Sequence, residues 1–231
     1  MRTIDAQERP ILPSAAQKRT KTRIVILMLL SIGTMINYLD RTILGIVAPK
    51  LTSEIHIDPA MMGIVFSAFA WTYALAQIPG GMFLDRFGNK LTYALAIFFW
   101  STFTLLQSFS VGLKSLLLLR LGLGISEAPC FPVNSRVVSK WFPQHERARA
   151  TATYTVGEYI GLAAFSPLLF LILEHHGWRT LFILTGGLGI AFTFVWWKFY
   201  HEPHQSKPAN KAELEYIGVE NTAAANENIP F

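Results

Sequence analysis

A chain of 231 residues that is 52% hydrophobic and only 15% charged, with a mean hydropathy of +0.35, lacks the composition of a soluble globular domain. Its net charge of +5 does not make it a nucleic-acid binder, because the basic residues are scattered among loops rather than gathered in one stripe with interleaved aromatics. The single cysteine, Cys130, excludes an internal disulfide, and no Cys/His spacing suits a metal ion, so neither a metal site nor a cofactor is expected.

Six apolar segments follow in chain order, each close to the length needed to cross about 30 Å of hydrocarbon. They run from Arg23 to Ala48, Pro59 to Phe83, Leu91 to Val111, Ser115 to Val138, Ala148 to Leu173 and Thr180 to Tyr200. The breaks between them are Pro49 to Asp58, Leu84 to Lys90, Gly112 to Lys114, Ser139 to Arg147, and Glu174 to Arg179, the last placing His175 and His176 in an outer loop. The first segment is too long, and too charged within, for a cleavable signal peptide. These limits divide the chain into an N-terminal tail (1–22), a membrane domain (23–200) and a polar segment (201–231) that reads as a tail or the start of a linker, with a short amphipathic turn at Lys211 to Tyr216.

Basic residues set the expected orientation. Arg2, Arg9, Lys18, Arg19, Lys21, Arg23, Arg86, Lys90, Arg136, Lys140, Arg147, Arg149, Lys198, Lys207 and Lys211 fall on one side, and only Lys50, Lys114 and Arg179 on the other. The positive-inside rule then makes both termini cytoplasmic, in an inner (plasma) membrane.

Five ionisable residues, Asp40, Arg41, Arg120, Glu127 and Glu158, lie within the apolar segments. Each would cost roughly 2.5–3.5 kcal/mol at the centre of a lipid-facing helix, so as a set they are expected to face a protein interior or a wet cavity. Arg120 and Glu127 are seven apart and share one helical face. The bland alternative is a set of buried pairs that fix helix register. Pro129 and Pro132 are expected to kink the fourth segment, and Trp71, Trp141, Trp178, Trp196 and Trp197 to pack or anchor at interfaces.

The second break reads Gly81-Met-Phe-Leu-Asp85-Arg86-Phe-Gly88-Asn-Lys90, and it resembles the signature that the major facilitator superfamily carries between its second and third helices. Its glycines permit a tight turn, while Asp85 can accept from basic groups or backbone N–H at a neighbouring helix end, as a latch would. Asn37-Tyr38-Leu-Asp40-Arg41, Phe66-Ser-Ala-Phe-Ala-Trp71-Thr-Tyr73, Arg120-Leu-Gly-Leu-Gly124-Ile-Ser-Glu127-Ala128-Pro129 and Trp141-Phe-Pro-Gln-His-Glu146-Arg147 extend the likeness to the anion:cation symporter branch. Within that branch the chain is most similar to proton-coupled sugar-acid transporters of the galactonate and glucarate type.

The resemblance implies an all-α membrane protein: six transmembrane helices arranged as a 3+3 inverted repeat, the N-terminal half of a twelve-helix fold. The partners it implies are a bilayer, a small carboxylate substrate and a second six-helix half. It implies no enzyme, and protons as the coupling ion.

It also implies roles. Arg41 would bind the substrate carboxylate through its planar fork. Asp40 and Glu127 would carry protons, as carboxyl groups removed from water can load and release them. Arg120 could hold either acid in its ionised form, Tyr38 and Tyr73 would hydrogen-bond sugar hydroxyls, and Asn134 is a further candidate. Gly81, Asp85, Arg86, Gly88 and Lys90 would form the gate. Glu158 departs from the branch, which usually carries Gln there, and a carboxylate at that position disfavours a doubly charged aldarate. The rivals are an organic-anion or organic-phosphate exchanger on the same scaffold, and a truncated half that transports nothing.

Overall fold

A computed structural model describes residues 18–218; Arg2, Arg9 and the polar segment from residue 219 onward lie outside it. Helices α1 (Thr22–Glu54), α2 (Pro59–Gln107), α3 (Leu113–Glu127), α4 (Cys130–Trp141) and α5 (Gln144–Phe199) carry the bulk of the chain. A 3-10 turn (Pro203–Gln205) and α6 (Lys211–Ile217) follow. With α3 and α4 taken as one run, four helical runs among the described residues are long and apolar enough to cross a membrane.

The six separate segments expected from the sequence are therefore not drawn as six helices. Two of the expected breaks close to a single glycine. In α2 only Gly88 leaves helical geometry (φ 76°, ψ 174°), and in α5 only Gly177 does (φ 78°, ψ 169°). Both sit in the left-handed region, where a residue without Cβ is favoured. Residues 84–90 and 174–179, including His175 and His176, are otherwise helical rather than loop. The fourth segment, by contrast, is divided at Ala128–Pro129, where Pro129 and Pro132 each remove a backbone donor from the ladder. Asp58 caps α2 by accepting from the Ala60 N–H at 2.7 Å, with Pro59 at the first helical position.

The 56 residues of α5 would span over 80 Å if straight, far more than a bilayer. Instead it folds back at Gly177. A Cβ at Gly157 would come within 2.8 Å of the Ser31 carbonyl oxygen, and one at Gly161 equally close to that of Met35, so the first arm lies directly on the α1 backbone. Phe192, far along the second arm, reaches the same stretch of α1 at Gly33. The two arms of α2 likewise lie side by side, jointly lining a cavity of about 320 Å³ through Ala76 and Phe83 on one arm and Leu95 and Phe99 on the other, with Ile125 and Pro129 closing it.

Apolar packing forms two cores stacked along the helices. One gathers Ile26, Leu30, Tyr93, Trp100, Val133, Trp141 and Trp196; the other gathers Ile43, Val47, Leu51, Val65, Leu116, Trp178 and Phe182. Between them on α1 lie Asn37 and Asp40, and the buried polar residues Ser101, Thr104, Arg120, Glu127, Glu158 and Thr185 join this middle layer from the other helices. Elsewhere the outer surface is apolar, as a lipid-facing surface must be.

After α5 the chain runs back across the helix ends. Glu202 accepts from Asn89 Nδ2 (2.9 Å) and Lys140 Nζ (3.0 Å). Asn210 caps α6, its Oδ1 accepting from the Glu213 N–H. The Glu213 carboxylate, fully buried, accepts from the Thr22 N–H (3.2 Å), the Arg23 N–H (3.1 Å) and the Thr20 hydroxyl, so it caps the N-terminus of α1. Tyr216 donates to Glu146 at the start of α5 and lies beneath the guanidinium groups of Arg19 and Arg23.

Candidate functional site: the buried charges of the middle layer

Three elements bring the intramembrane charges together, and a fourth adds a tyrosine. Asp40 and Arg41 come from the middle of α1, Arg120 and Glu127 from α3, and Glu158 from the first arm of α5. Tyr38 is one helical turn before Arg41, and Tyr73 comes from the first arm of α2.

At the centre is an ion pair. Arg41 Nε donates to Glu127 Oε1 at 2.6 Å, and Arg41 Nη2 meets the same oxygen. Glu127 is completely enclosed, whereas the Arg41 side chain keeps 25% of its surface open. Three aromatic rings surround the guanidinium, those of Tyr38 (5.1 Å), Phe69 (5.1 Å) and Tyr73 (4.8 Å), measured to the ring centroids. Stacking of this kind suits the weakly hydrated planar guanidinium and fixes its orientation. Arg41 is thus an anchored cation with one open edge.

Asp40 faces the other way around α1. It is 2% exposed and accepts from the Thr104 hydroxyl at 3.4 Å, with Thr185 beside it. Arg120 is 3% exposed and lies near both Glu127 and Asp40, yet among the described residues it forms no salt bridge, and its Nε and Nη2 have no hydrogen-bond partner there. Arg120, expected from the sequence to hold one of the acids, contacts neither among the described residues, while Arg41 takes Glu127.

Glu158 lies near Tyr38 and within the field of Arg41. Asn134 is buried and donates to Thr34 Oγ1 at 3.2 Å, two helical turns along α1 from Arg41, so it belongs to a separate polar contact. The other proposed gate residues lie at the turn of α2. Asp85 accepts from Arg136 Nη1 of α4 at 2.7 Å. Arg86 leans on Phe87, Lys90 lies over Trp197, Gly88 makes the turn, and Gly81 has open space where a Cβ would be.

Sequence reasoning did not single out Phe69, Thr104 or Thr185. Short hydroxyl residues and one more phenylalanine in an apolar run carry no distinguishing periodicity, because a span buried on all sides is apolar throughout. Asn37, buried beside Glu127, was contained in the first-helix motif but given no role.

Comparison with known proteins identifies the family. Residues 30–226 match the family model described as Major Facilitator Superfamily. The chain is 48% identical over 206 residues to a D-galactonate transporter of Escherichia coli O6:H1, a match that covers 89% of this chain and 48% of that protein. It is 44% identical to a probable galactarate/D-glucarate transporter of Bacillus subtilis, across 87% of this chain and 46% of the other. Among solved structures, a bacterial homologue of the human lysosomal transporter Spinster, in an inward-facing unoccupied conformation, superposes with a TM-score of 0.70 at 26% identity, over 90% of this chain and 50% of that one. The proton:xylose symporter XylE gives 0.70 at 12% identity, which is a likeness of fold alone. The chain spans about half the length of the curated relatives it matches. With its apolar helices, it is a multi-pass membrane protein. It belongs to the Major Facilitator Superfamily, a class of transporters and not of enzymes.

Proposed function

We propose that this chain is the N-terminal half of a secondary transporter that carries a sugar-acid anion together with protons across the inner membrane by alternating access. The observation that carries the reading is the Arg41–Glu127 pair: a carboxylate already sits on the open-edged guanidinium where a substrate carboxylate would sit. An incoming anion competes with Glu127 for Arg41, and a proton taken up by Glu127 resolves the competition, so ligand binding and proton uptake become one linked event. Asp40, enclosed between α1 and the hydroxyls of Thr104 and Thr185, is the second proton carrier. The names of the relatives support a sugar acid as substrate, and the extra carboxylate of Glu158 supports a singly charged one over an aldarate.

In this reading α2 and α5 each contribute two membrane segments, giving six in a 3+3 inverted repeat. The near-identical backbone angles of Gly88 and Gly177 support it, as does their placement at opposite ends. Gly88 adjoins Lys90, whose carbonyl accepts from Trp196, on the side of the Glu213 strap; Gly177 adjoins Glu54 at the far end of α1 through the Trp178 Nε1 donor at 2.7 Å. The strap side, rich in Lys and Arg, is the cytoplasmic one, and with it both termini. The absent half docks along the first arm of α2, where Trp71, Leu75, Ile78 and Met82 form an exposed seam with 4-3-4 spacing. Asp85 and Arg136 latch the cytoplasmic ends.

The test is uptake of D-galactonate by proteoliposomes carrying the protein together with its second half. An inward proton gradient drives accumulation, and Asp40→Asn with Glu127→Gln abolishes the gradient's effect. Accumulation indifferent to pH, or coupling that survives both substitutions, defeats the proposal and favours an exchanger.

A further inference from the structure

The charges of the middle layer are unevenly matched. Glu127 is paired with Arg41, through two nitrogens on one oxygen. Asp40 is enclosed away from the crevice and is held by Thr104. Glu158 forms no salt bridge among the described residues, although it is 8% exposed and beside a cation. The Arg41 nitrogens nearest an acid are committed to Glu127, so what Glu158 receives from Arg41 is field, not contact.

Helix packing places Glu158 on the same wall as Arg41. Gly157 and Gly161 bring the first arm of α5 against the α1 backbone at Ser31 and Met35, and Glu158 stands between these two contacts. Tyr38, one turn from Arg41 on α1, has its ring 5.1 Å from the guanidinium and lies beside Glu158. The wall therefore presents a cation with an open edge, a phenol and an unpaired carboxylate, in that order.

Resting on the sugar-acid reading above, we propose that the ligand this wall fits is a zwitterion: a sugar acid bearing an amino group near its carboxylate, with the carboxylate on Arg41 and the ammonium on Glu158. An ammonium is a compact charge with three donors, enough to serve Glu158 and the Tyr38 oxygen together. A sugar acid with hydroxyls alone leaves Glu158 without a cation and adds a further negative charge to the layer; an aldarate adds two. Removing a carboxylate from water is favourable only with a partner, and the ligand supplies the one that the protein does not.

The experiment compares a matched pair, 2-amino-2-deoxy-D-gluconate and D-gluconate, for binding to the protein assembled with its second half in nanodiscs at pH 7, with galactarate as the dianion. The aminated acid is expected to bind at least ~10-fold more tightly than gluconate, and galactarate most weakly. Glu158→Gln is expected to remove the preference by weakening the aminated acid toward the affinity of gluconate. Gluconate binding as tightly as its amino counterpart, or a preference that survives Glu158→Gln, overturns the zwitterion assignment and leaves the sugar-acid reading standing. Failure of every one of these acids to bind overturns that reading as well. The comparison on the unsubstituted protein decides the matter even where the variant does not fold.

Discussion

Arg41 and Glu127, 86 positions apart, meet through an Nε–Oε1 contact of 2.6 Å in the buried polar layer between the two apolar cores. Truncating one partner strands the other in low dielectric. Arg41→Ala is therefore expected to cost about 3–5 kcal/mol, whereas Arg41→Met combined with Glu127→Leu costs far less than the two single changes together. A double-mutant cycle on unfolding in mixed micelles, followed by tryptophan fluorescence, measures the coupling. Additive losses would mean that the pair is not formed in the protein.

Glu213 makes a second prediction, away from the membrane interior. Its buried carboxylate accepts from the first backbone donors of α1, which have no partner within their own helix. Glu213→Gln preserves shape but removes charge assistance, at a cost of roughly 1.5–3 kcal/mol. Hydrogen exchange at the Thr22 and Arg23 amides should accelerate, and trypsin should cut sooner at Lys211. Exchange unchanged at those two amides would show that water caps α1 equally well.

The charges and the turn motif were legible from the sequence because both break an expectation: ionisable groups in apolar spans, and an acid placed before Arg-x-Gly in a basic turn. The helix divisions were less so. Leu84 to Lys90 and Glu174 to Arg179 read as loops because they are polar and contain glycine, yet one left-handed residue reverses each chain and the rest stays helical. Which acid Arg41 or Arg120 would take was also hidden, since that depends on how α1 and α3 are rotated against one another. The strap had a faint signal in Asn210 and Glu213, three apart as in a capping box. That the carboxylate caps α1 instead of its own helix is a tertiary choice across 190 positions.

Glycines of two kinds should respond differently. At Gly88 and Gly177 a Cβ meets nothing within 4 Å, so alanine costs only the strain of a positive φ with ψ near 180°, about 1–3 kcal/mol. At Gly161 the backbone is ordinary helix but a Cβ would sit 2.8 Å from the Met35 carbonyl oxygen, so alanine must push α5 off α1. Thermal unfolding should rank Gly161→Ala as the more damaging. Moreover, Gly88→Asn should recover little of the loss at Gly88, because ψ 174° lies outside the left-handed helical well that Asn tolerates, and Gly161→Asn should be worse than alanine.

Asp85 and Arg136 form the most exposed of the contacts assigned a role, the Asp85 side chain being 77% open. An ion pair so exposed contributes about 0–1 kcal/mol, so Asp85→Asn should leave unfolding nearly unchanged. Its effect is expected in transport instead: if the pair latches one conformation, neutralising it shifts the balance between inward- and outward-open states. Accessibility of single cysteines placed along the seam, at Leu75 and Ile78, reads that balance directly. Restoring the pair in reversed order, Asp85→Arg with Arg136→Asp, should return the labelling rates toward those of the unsubstituted protein. If Asp85→Asn leaves labelling as it was, the contact is an ordinary surface pair and the latch must be sought in Arg86 or Lys90.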